Sequence, residues 1–539
     1  MGLPAGGTAS DPNLADRDPL RAGRDPILLA ITILAALLLL GRLGDRVLWQ
    51  DEAETGLLAK SILRSGLPFA SDGKNVVSQE AGKEFGKDFL WRWSPWAQFY
   101  LAAGSIGIFG PTPLAARLPF AILGLCCVPA LYLLSRRLSG STAAARLSAL
   151  FLTLSVPFLL HSRQARWYAA AYLLVIVLLL ALEGIARGAR RAPAWFAAAG
   201  TLLFYTNYFV ALGALLALCA AAPVLRLGRP FLSRLGAALL AVALLCAPGA
   251  VFFGLLGRRG PLDPRLALGL FVFYLGAYLT FLLPLPMLCV AIFAAAPATG
   301  REPEAGMGRW MTFLLLFSLG DILYLSFAPW GLFRYMSVLL PPAMILLALG
   351  VRFIQLRSRA AGLVAILFLI FTNIFHLTPL GFAQTLGTLS ADSFPGPGPA
   401  GSPLLGYLYE RTHRFEDPEA ALCRALNRLA RPGDVALVTY GDLPLQFCTP
   451  LVVTGGMQGR ELPDKPDWIV VRRFFVSADP GKDLDVTRFI QAHIDPAAYA
   501  PIDLGVADTM LGNDPDPTYH LFRPPADAPP LVLLRRKQK

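Results

Sequence analysis

The chain has 539 residues, 55% of them hydrophobic and only 16% charged, with a formal net charge of +12. Soluble proteins carry about 25% charged residues, so with a mean hydropathy of +0.54 a purely soluble globule and a disordered chain are both excluded. The positive charge is uneven: residues 1–379 hold 32 Lys and Arg against 17 Asp and Glu, and residues 380–539 hold 16 against 19. The cationic excess belongs to the apolar part, where it sets membrane orientation and does not form a nucleic-acid surface.

The fold class expected is a polytopic α-helical membrane protein of about eleven spans with a C-terminal soluble α/β domain. Residues 1–24 form a cytoplasmic tail. The first apolar run, Pro26 to Leu40, follows Arg17, Arg21 and Arg24 and is succeeded by Gly41-Arg42-Leu43-Gly44-Asp45-Arg46, not by a small-residue cleavage site; it reads as an uncleaved anchor. The loop 45–95 then lies on the outer side. Residues 95–109 are too short for an ordinary span and read as an interfacial or re-entrant helix, followed by a full apolar run at 114–135.

Arginine clusters at 136–146, 187–191, 226–234, 301–309 and 352–359 mark cytoplasmic turns. The turns between them, His161–Tyr168, Thr206–Tyr208, Gly257–Arg265 and Trp330–Tyr335, are then periplasmic. A last span near 360–378 delivers the tail to the same side. The membrane domain covers 25–379, a Pro- and Gly-rich linker 380–404, and the tail 405–539. In the tail, Pro418–Ala430 and Leu484–His493 read as helices, and Val435–Tyr440, Trp468–Val471 and Leu531–Leu534 as strands. Cys423 and Cys448 fall there and either pair, in an oxidising compartment, or stay buried thiols. The other five cysteines lie in apolar spans, where a thiol packs.

Charges beside membrane spans are expensive and mark function. Three periplasmic turns carry polar clusters. Trp49-Gln50-Asp51-Glu52-Ala53-Glu54 places three carboxylates at one membrane exit, suited to activating a hydroxyl; Asp51-x-x-Glu54 also has capping-box spacing ahead of an apolar stripe at Leu57, Leu58, Ile62 and Leu63. In His161-Ser162-Arg163-Gln164-Ala165-Arg166-Trp167-Tyr168, a helix would put Arg163 and Arg166 on one face, where two guanidinium forks suit a phosphate; snorkelling to lipid headgroups is the bland alternative. Lone His161 reads as a satisfied polar residue. Phe333-Arg334-Tyr335 places an arginine at a helix start, where either a bound anion or a loop or lipid contact would explain it. Tyr205-Thr206-Asn207-Tyr208 adds neutral hydrogen-bonding groups to the same surface.

The ordered set Asp51-Glu52-Ala53, Phe109-Gly110, Ala116-Arg117-Leu118-Pro119, Leu133-Leu134-Ser135-Arg136-Arg137-Leu138, Ser162–Ala169 and Arg334-Tyr335 resembles the membrane-embedded GT-C glycosyltransferases. Within them it is similar to the lipid A aminoarabinose transferase, protein O-mannosyltransferase and rhizobial galacturonosyltransferase group, over about residues 25–350. The resemblance implies a polyprenyl-phosphate-sugar donor of the undecaprenyl type. It implies inverting transfer to an envelope acceptor (a lipid, glycan or protein hydroxyl) at the periplasmic face of the bacterial inner membrane. Asp51 then matches the acid assigned to acceptor activation and Glu52 its neighbour. Arg163 and Arg166 match the donor-face motif and Arg334 the arginine near the lipid phosphate, with Tyr168, Asn207, Tyr208 and Tyr335 in support. Relatives often carry His-Pro-Pro or Glu-Lys-Pro where this chain has Trp93-Ser94-Pro95; Arg92 is the candidate to supply the missing charge, and Lys74, Lys83 and Lys87 are further loop cations. No metal-ligand set is defined and no cofactor is required by the motifs, although acidic and amide groups leave a divalent cation open. In the tail, Asn513, Asp514, Asp516 and His520 read either as a polar loop or as an acceptor cleft.

Two other classes compete. A lipid-linked-sugar transporter would place ionisable groups near mid-bilayer with repeat symmetry, and the charges here sit at span ends with no repeat. A non-catalytic scaffold would survive loss of Asp51 and fail on loss of the tail.

Overall fold

The computed structural model describes residues 25–257, 263–295, 305–329, 331–372, 374–375, 402–455, 458–472, 480–509, 514–517, 520–524 and 528–537. The segment 1–24, most of the 380–404 linker, Arg301, Trp330 and Asn513 lie outside them.

The membrane part runs α1 (Pro26–Leu40), α2 (Gln50–Ser65), α3 (Ala97–Phe109), α4 (Pro113–Ser139), α5 (Thr142–Leu154), α6 (Val156–Ser162) and α7 (Tyr168–Ala186). It continues with α8 (Ala192–Thr206), α9 (Tyr208–Ala221), α10 (Arg229–Phe252), α11 (Pro264–Phe281), α12 (Leu285–Ala295), α13 (Ala305–Leu325), α14 (Leu340–Arg357) and α15 (Arg359–Phe371). Among the described residues seven helical segments are long and apolar enough to cross a membrane, including α4, α7, α10 and the stretch Phe333–Arg357. The pair α5 and α6 adds one bent candidate, broken by 62°; Pro157 cannot donate to the helix ladder, so the chain turns at Ser155. The runs α1, α3, α12 and α15 are shorter apolar helices.

Capping explains the helix starts. Asp25 accepts from the Ile27 and Leu28 amides ahead of Pro26, and its carboxylate also takes Tyr132 and Arg146 at 2.8 and 2.9 Å. Thr112 caps α4 before Pro113, and Gly140 ends it in the left-handed region at φ 68°. Helix α14 is apolar on all sides and buried from Leu340 to Val351, so it is a core helix. Helix α10 exposes Leu240, Leu244 and Val251, an apolar flank that faces lipid in a protein of this class.

The tail comprises α16 (Pro403–Thr412), α17 (Pro418–Leu429), β1 (Val435–Val438), α18 (Asp442–Cys448), β2 (Val452–Gly455), β3 (Trp468–Val470), α19 (Pro480–His493), β4 (Tyr499–Ala507) and β5 (Pro530–Arg536). Its five-stranded sheet has the order β2-β1-β3-β5-β4. Strand β1 pairs in parallel with β2 (Val435 opposite Val452) and with β3 (Ala436 opposite Trp468). The pairs β3–β5 and β5–β4 are antiparallel. Helix α17 lays Leu422, Cys423 and Leu426 on this sheet, and Cys423 is disulfide-bonded to Cys448 of α18, with 6.1 Å between the Cα atoms. The pairing left open in sequence is therefore made.

The tail docks on the first loop. Asn75 spans it, donating to the Leu451 carbonyl at 2.9 Å and accepting from the Val453 amide at 2.8 Å. Lys60 donates to the Phe447 carbonyl at 2.8 Å and lies over its ring. The approach of α18 to α2 requires Gly56, where a Cβ would come within 2.8 Å of the Phe447 ring.

Two local expectations are corrected. The 161–168 turn is not one helix: α6 ends at Ser162 and α7 begins at Tyr168, so Arg163 and Arg166 do not share a helical face. The cap of α2 is not Asp51 with Glu54; the N-cap is Trp49, whose amide donates to Glu52 Oε2 at 3.4 Å.

Candidate active site

The frame is a buried ion pair. Arg117, projecting from α4, grips Glu52 through Nε at 2.7 Å and Nη2 at 2.5 Å. Its remaining bonds go to the Leu43, Arg46 and Val47 carbonyls. Glu52 also accepts from the Ala165 amide at 2.7 Å. Both side chains are buried, so the bidentate geometry and saturated lone pairs are what make the pair tolerable. It locks the loop before α2 to the loop before α7. Glu52, expected beside Asp51 in the chemistry, is thus fully engaged in structure.

On that frame Asp51 meets one arginine from each of the other two charged turns. Asp51 Oδ2 lies 3.0 Å from Arg334 Nη1 and 3.6 Å from Arg166 Nη2. Arg166 Nη1 donates to Glu54 Oε1 at 2.8 Å and to the Asp51 carbonyl at 3.0 Å. Gln79 closes the far side of Glu54 at 2.7 Å. Burial pushes the Glu54 carboxyl above the usual range, Asp51 adding to the rise and Arg166 opposing it. Burial alone would pull Arg166 down, but Asp51 and Glu54 more than offset it and hold it charged. Two carboxylates at the start of α2 thus face two guanidinium groups that lie 115 and 283 residues beyond Asp51 in sequence.

Buried donors remain at this point. Arg166 Nε has no partner, and the Tyr168 hydroxyl, which faces Arg334, makes no well-formed hydrogen bond. Buried donors are normally satisfied; a ligand oxygen would satisfy these. Tyr335, next to Arg334 in the chain, lies within electrostatic reach of Asp51 and packs on Phe209 with ring centroids 5.0 Å apart. The His161 ring lies tilted against Tyr168 with centroids 4.6 Å apart and hydrogen-bonds Tyr172 at 2.6 Å.

Other expected residues are placed elsewhere. Arg163 donates to the carbonyls of Leu38, Leu39, Gly41 and Arg42, capping the C-terminal end of α1. Arg92 forms a bidentate pair with Asp88, both bonds at 2.7 Å, and lies over Phe252. Neither is brought to Asp51. Asn207 caps α9 through the Val210 amide at 3.1 Å, and Tyr208 donates to the Trp93 carbonyl at 2.9 Å. Lys74, Lys83 and Lys87 are exposed. Among the described residues no group of three or more His, Cys, Asp or Glu converges as a metal site.

Sequence reading assigned no role to Arg117 or Gln79, whose partners Glu52 and Glu54 lie 65 and 25 residues away along the chain. The tail's polar loop also turns out to be close to the arginines. Asp516 Oδ2 accepts from the Phe333 amide at 2.9 Å. Asp514 acts electrostatically on Arg334, and burial, with Asp516 adding, pushes its own carboxyl up to about 6. His520 binds the Asp514 carbonyl at 2.7 Å and Glu410 at 2.8 Å, and Glu410 meets Arg46 at 2.9 Å.

No family model and no curated protein matches the chain. Solved structures do. ArnT from Cupriavidus metallidurans in the apo state is 14% identical, with a TM-score of 0.54 over 87% of this chain and 88% of that one. The same protein bound to undecaprenyl phosphate is 14% identical, with a TM-score of 0.52 over 79% and 85%. The archaeal oligosaccharyltransferase AglB from Archaeoglobus fulgidus, in complex with an inhibitory peptide and a dolichol-phosphate, is matched at 12% identity and a TM-score of 0.42 over 79% and 64%. Identities this low speak to architecture alone, and the two ArnT matches establish it: the chain has the GT-C membrane fold with a C-terminal sheet-containing domain.

Proposed function

We propose that the protein transfers a sugar from a polyprenyl-phosphate donor of the undecaprenyl type to a hydroxyl of an envelope acceptor, with inversion, at the periplasmic face of a bacterial inner membrane. The observation that carries this reading is Asp51 held between Arg334 and Arg166 beside unsatisfied buried donors. A guanidinium pair with spare N–H groups suits a lipid phosphate, and a carboxylate within the same cluster suits removal of a hydroxyl proton. The undecaprenyl phosphate in the ArnT structure supports the donor class. The tail disulfide supports an oxidising compartment, and the arginine-rich turns support the opposite ends of the spans as cytoplasmic.

In this reaction the acceptor oxygen attacks the anomeric carbon while its proton passes to Asp51. The bond from that carbon to the phosphate oxygen breaks, and its electron pair leaves on the lipid phosphate. Arg334 and Arg166 hold that phosphate, with Tyr168 and Tyr335 beside it. Glu52 and Arg163 belong to the frame in this reading, and Arg92 to the loop surface. The test is to reconstitute the purified full chain in sealed liposomes with defined undecaprenyl-phosphate sugars, and to follow undecaprenyl phosphate release by mass spectrometry and the transbilayer distribution of intact donor. Release that depends on Asp51 supports the reading. Movement of intact donor across the bilayer without release overturns it in favour of a transporter.

A further inference from the structure

We propose that the cleft lined by Trp49, Gln50, Glu419, Tyr440, Thr509 and Asp514 is an acceptor subsite that takes a hydroxyl or ammonium group of a sugar or polyol and rejects a phosphate. This rests on the glycosyl-transfer reading above and adds the chemistry of the acceptor. The cleft lies between the tail and the residues just before Asp51 and encloses about 20 Å³, room for one hydroxyl, ammonium group or water rather than a sugar ring.

Its walls are short of donors. Glu419 Oε2 and Gln50 Oε1 are buried with no hydrogen-bond partner. The cation in the lining, Arg472, is already used: it pairs with Glu419 Oε1, with Asp508 at 2.6 Å and with the Thr509 carbonyl at 3.2 Å. The Gln50 amide nitrogen is fixed on Asp442 at 2.7 Å, which turns its oxygen away from that bond. A ligand entering here must therefore bring its own N–H or O–H groups. A phosphate brings oxygens, and would set them against Glu419 and Asp514. Burial pushes the Glu419 carboxyl up to about 7 against the pull of Arg472, a group that an ammonium would restore to its ionised form.

The cleft adjoins the candidate chemistry. Gln50 directly precedes Asp51, the Tyr440 ring lies within electrostatic reach of Asp51 and of Glu419, and Asp514 acts on Arg334. Trp49 supplies an aromatic wall, its indole N–H fixed on Gln164 at 2.6 Å. The two bodies that form the cleft are tied together at its rim, by Gln50 to Asp442 and by the Val47 amide to Asp417 at 3.1 Å. An acceptor could thus lodge one hydroxyl or ammonium in the cleft while a neighbouring hydroxyl faces Asp51, so the acceptor must carry two such groups close together.

The test uses the full chain in nanodiscs and saturation-transfer NMR with methyl β-glucoside, methyl β-glucosaminide and glucose 6-phosphate as probes. Saturation of both glycosides and none of the phosphate ester is expected. Glu419→Gln should weaken the glucosaminide at least tenfold and the neutral glycoside less. Tyr440→Phe, which keeps the ring and hence the fold, should raise the acceptor KM more than it lowers kcat. Equal binding of glucose 6-phosphate, absence of glycoside binding, or indifference to both substitutions overturns the proposal. Glycoside binding without undecaprenyl phosphate release overturns the transfer reading and leaves the cleft a sugar site; release without glycoside binding does the reverse.

Discussion

Asp51→Asn is the substitution that separates chemistry from binding. It keeps the shape of the side chain and its place between Arg334 Nη1 at 3.0 Å and Arg166 Nη2 at 3.6 Å, while removing its charge and its capacity to take a proton at neutral pH. General-base assistance contributes about 10²–10⁴ in rate, or ~3–5 kcal/mol of barrier. The expected outcome is a fall of that size in single-turnover sugar transfer. Donor binding should move the other way. A carboxylate competes with phosphate for both guanidinium groups, so Asp51→Asn should bind undecaprenyl phosphate as tightly as the parent protein or more tightly, measured by lipid titration in nanodiscs. Arg166 keeps Glu54 and the Asp51 carbonyl as partners, so the loop before α7 stays in place. A transfer rate within about tenfold of the parent, under ~1.4 kcal/mol, would refute Asp51 as the proton acceptor. Weakened lipid binding in a well-folded variant would refute the two arginines as the phosphate site.

The remaining expectations follow from the same contacts. Arg163→Ala uncovers carbonyls at the end of α1 and should cost about 1–3 kcal/mol of stability, seen as a lower melting temperature, with transfer per folded molecule retained; Arg166→Ala should instead abolish lipid-phosphate binding. Arg117→Leu strands the buried Glu52 carboxylate and should destabilise by about 3–5 kcal/mol; adding Glu52→Leu should recover part of that in chemical denaturation. Replacing Cys423 and Cys448 by serine should cost the tail about 2–4 kcal/mol and open it to limited proteolysis. Burial raises the Glu419 carboxyl from 4.5 to about 7, so the folded state holds the extra proton. Its contribution to stability is greatest below the unfolded value and is lost as pH rises through about 7. The difference in melting temperature between the parent and Glu419→Gln should therefore shrink or reverse between pH 5 and pH 9.

Much of the architecture was legible because hydropathy alone forces it. The run 26–40, the long apolar stretches and the strands at 435–438 and 468–470 follow from composition and period. The tail's β2 (Val452–Gly455) and β4 (Tyr499–Ala507) were not expected as strands; β4 does alternate Ala500, Ile502, Leu504 and Val506 with exposed residues, but Pro501 and Gly505 interrupt it and read as strand breakers. The break at 163–167 escaped because an arginine pair three apart looks helical until Glu52 takes the Ala165 amide, a bond made by a residue 113 positions away. The same holds for the cap of α2. Asp51 and Glu54 have the right spacing, but Glu52 is the residue whose second duty, on Arg117, fixes its carboxylate near the Trp49 amide. The convergence of Asp51, Arg166 and Arg334 was legible from residue type and turn placement. That Arg163 and Arg92 stand apart from that cluster was not, because their contacts are with backbone carbonyls and with Asp88.

The contacts of Asp51 also bear on how the proposed transfer keeps its charge in balance within a buried cluster. Asp51 and Glu54 face Arg166 and Arg334, so before reaction a donor phosphodiester, with one negative charge, must share two cations already claimed. When the acceptor proton reaches Asp51, that carboxylate becomes neutral and its hold on Arg334 and Arg166 falls. At the same moment the departing lipid phosphate becomes a monoester, whose charge at neutral pH approaches −2. The negative charge lost on one side of the arginines is gained on the other, and the guanidinium groups change partner without moving far. Stabilisation of this kind grows only as the bond breaks, which is where it lowers a barrier. Arg334→Lys tests the point. A lysine keeps the charge but has no planar fork to share between carboxylate and phosphate. Ground-state lipid binding should therefore change little while transfer drops, and a parallel loss of both would mean that Arg334 serves binding alone.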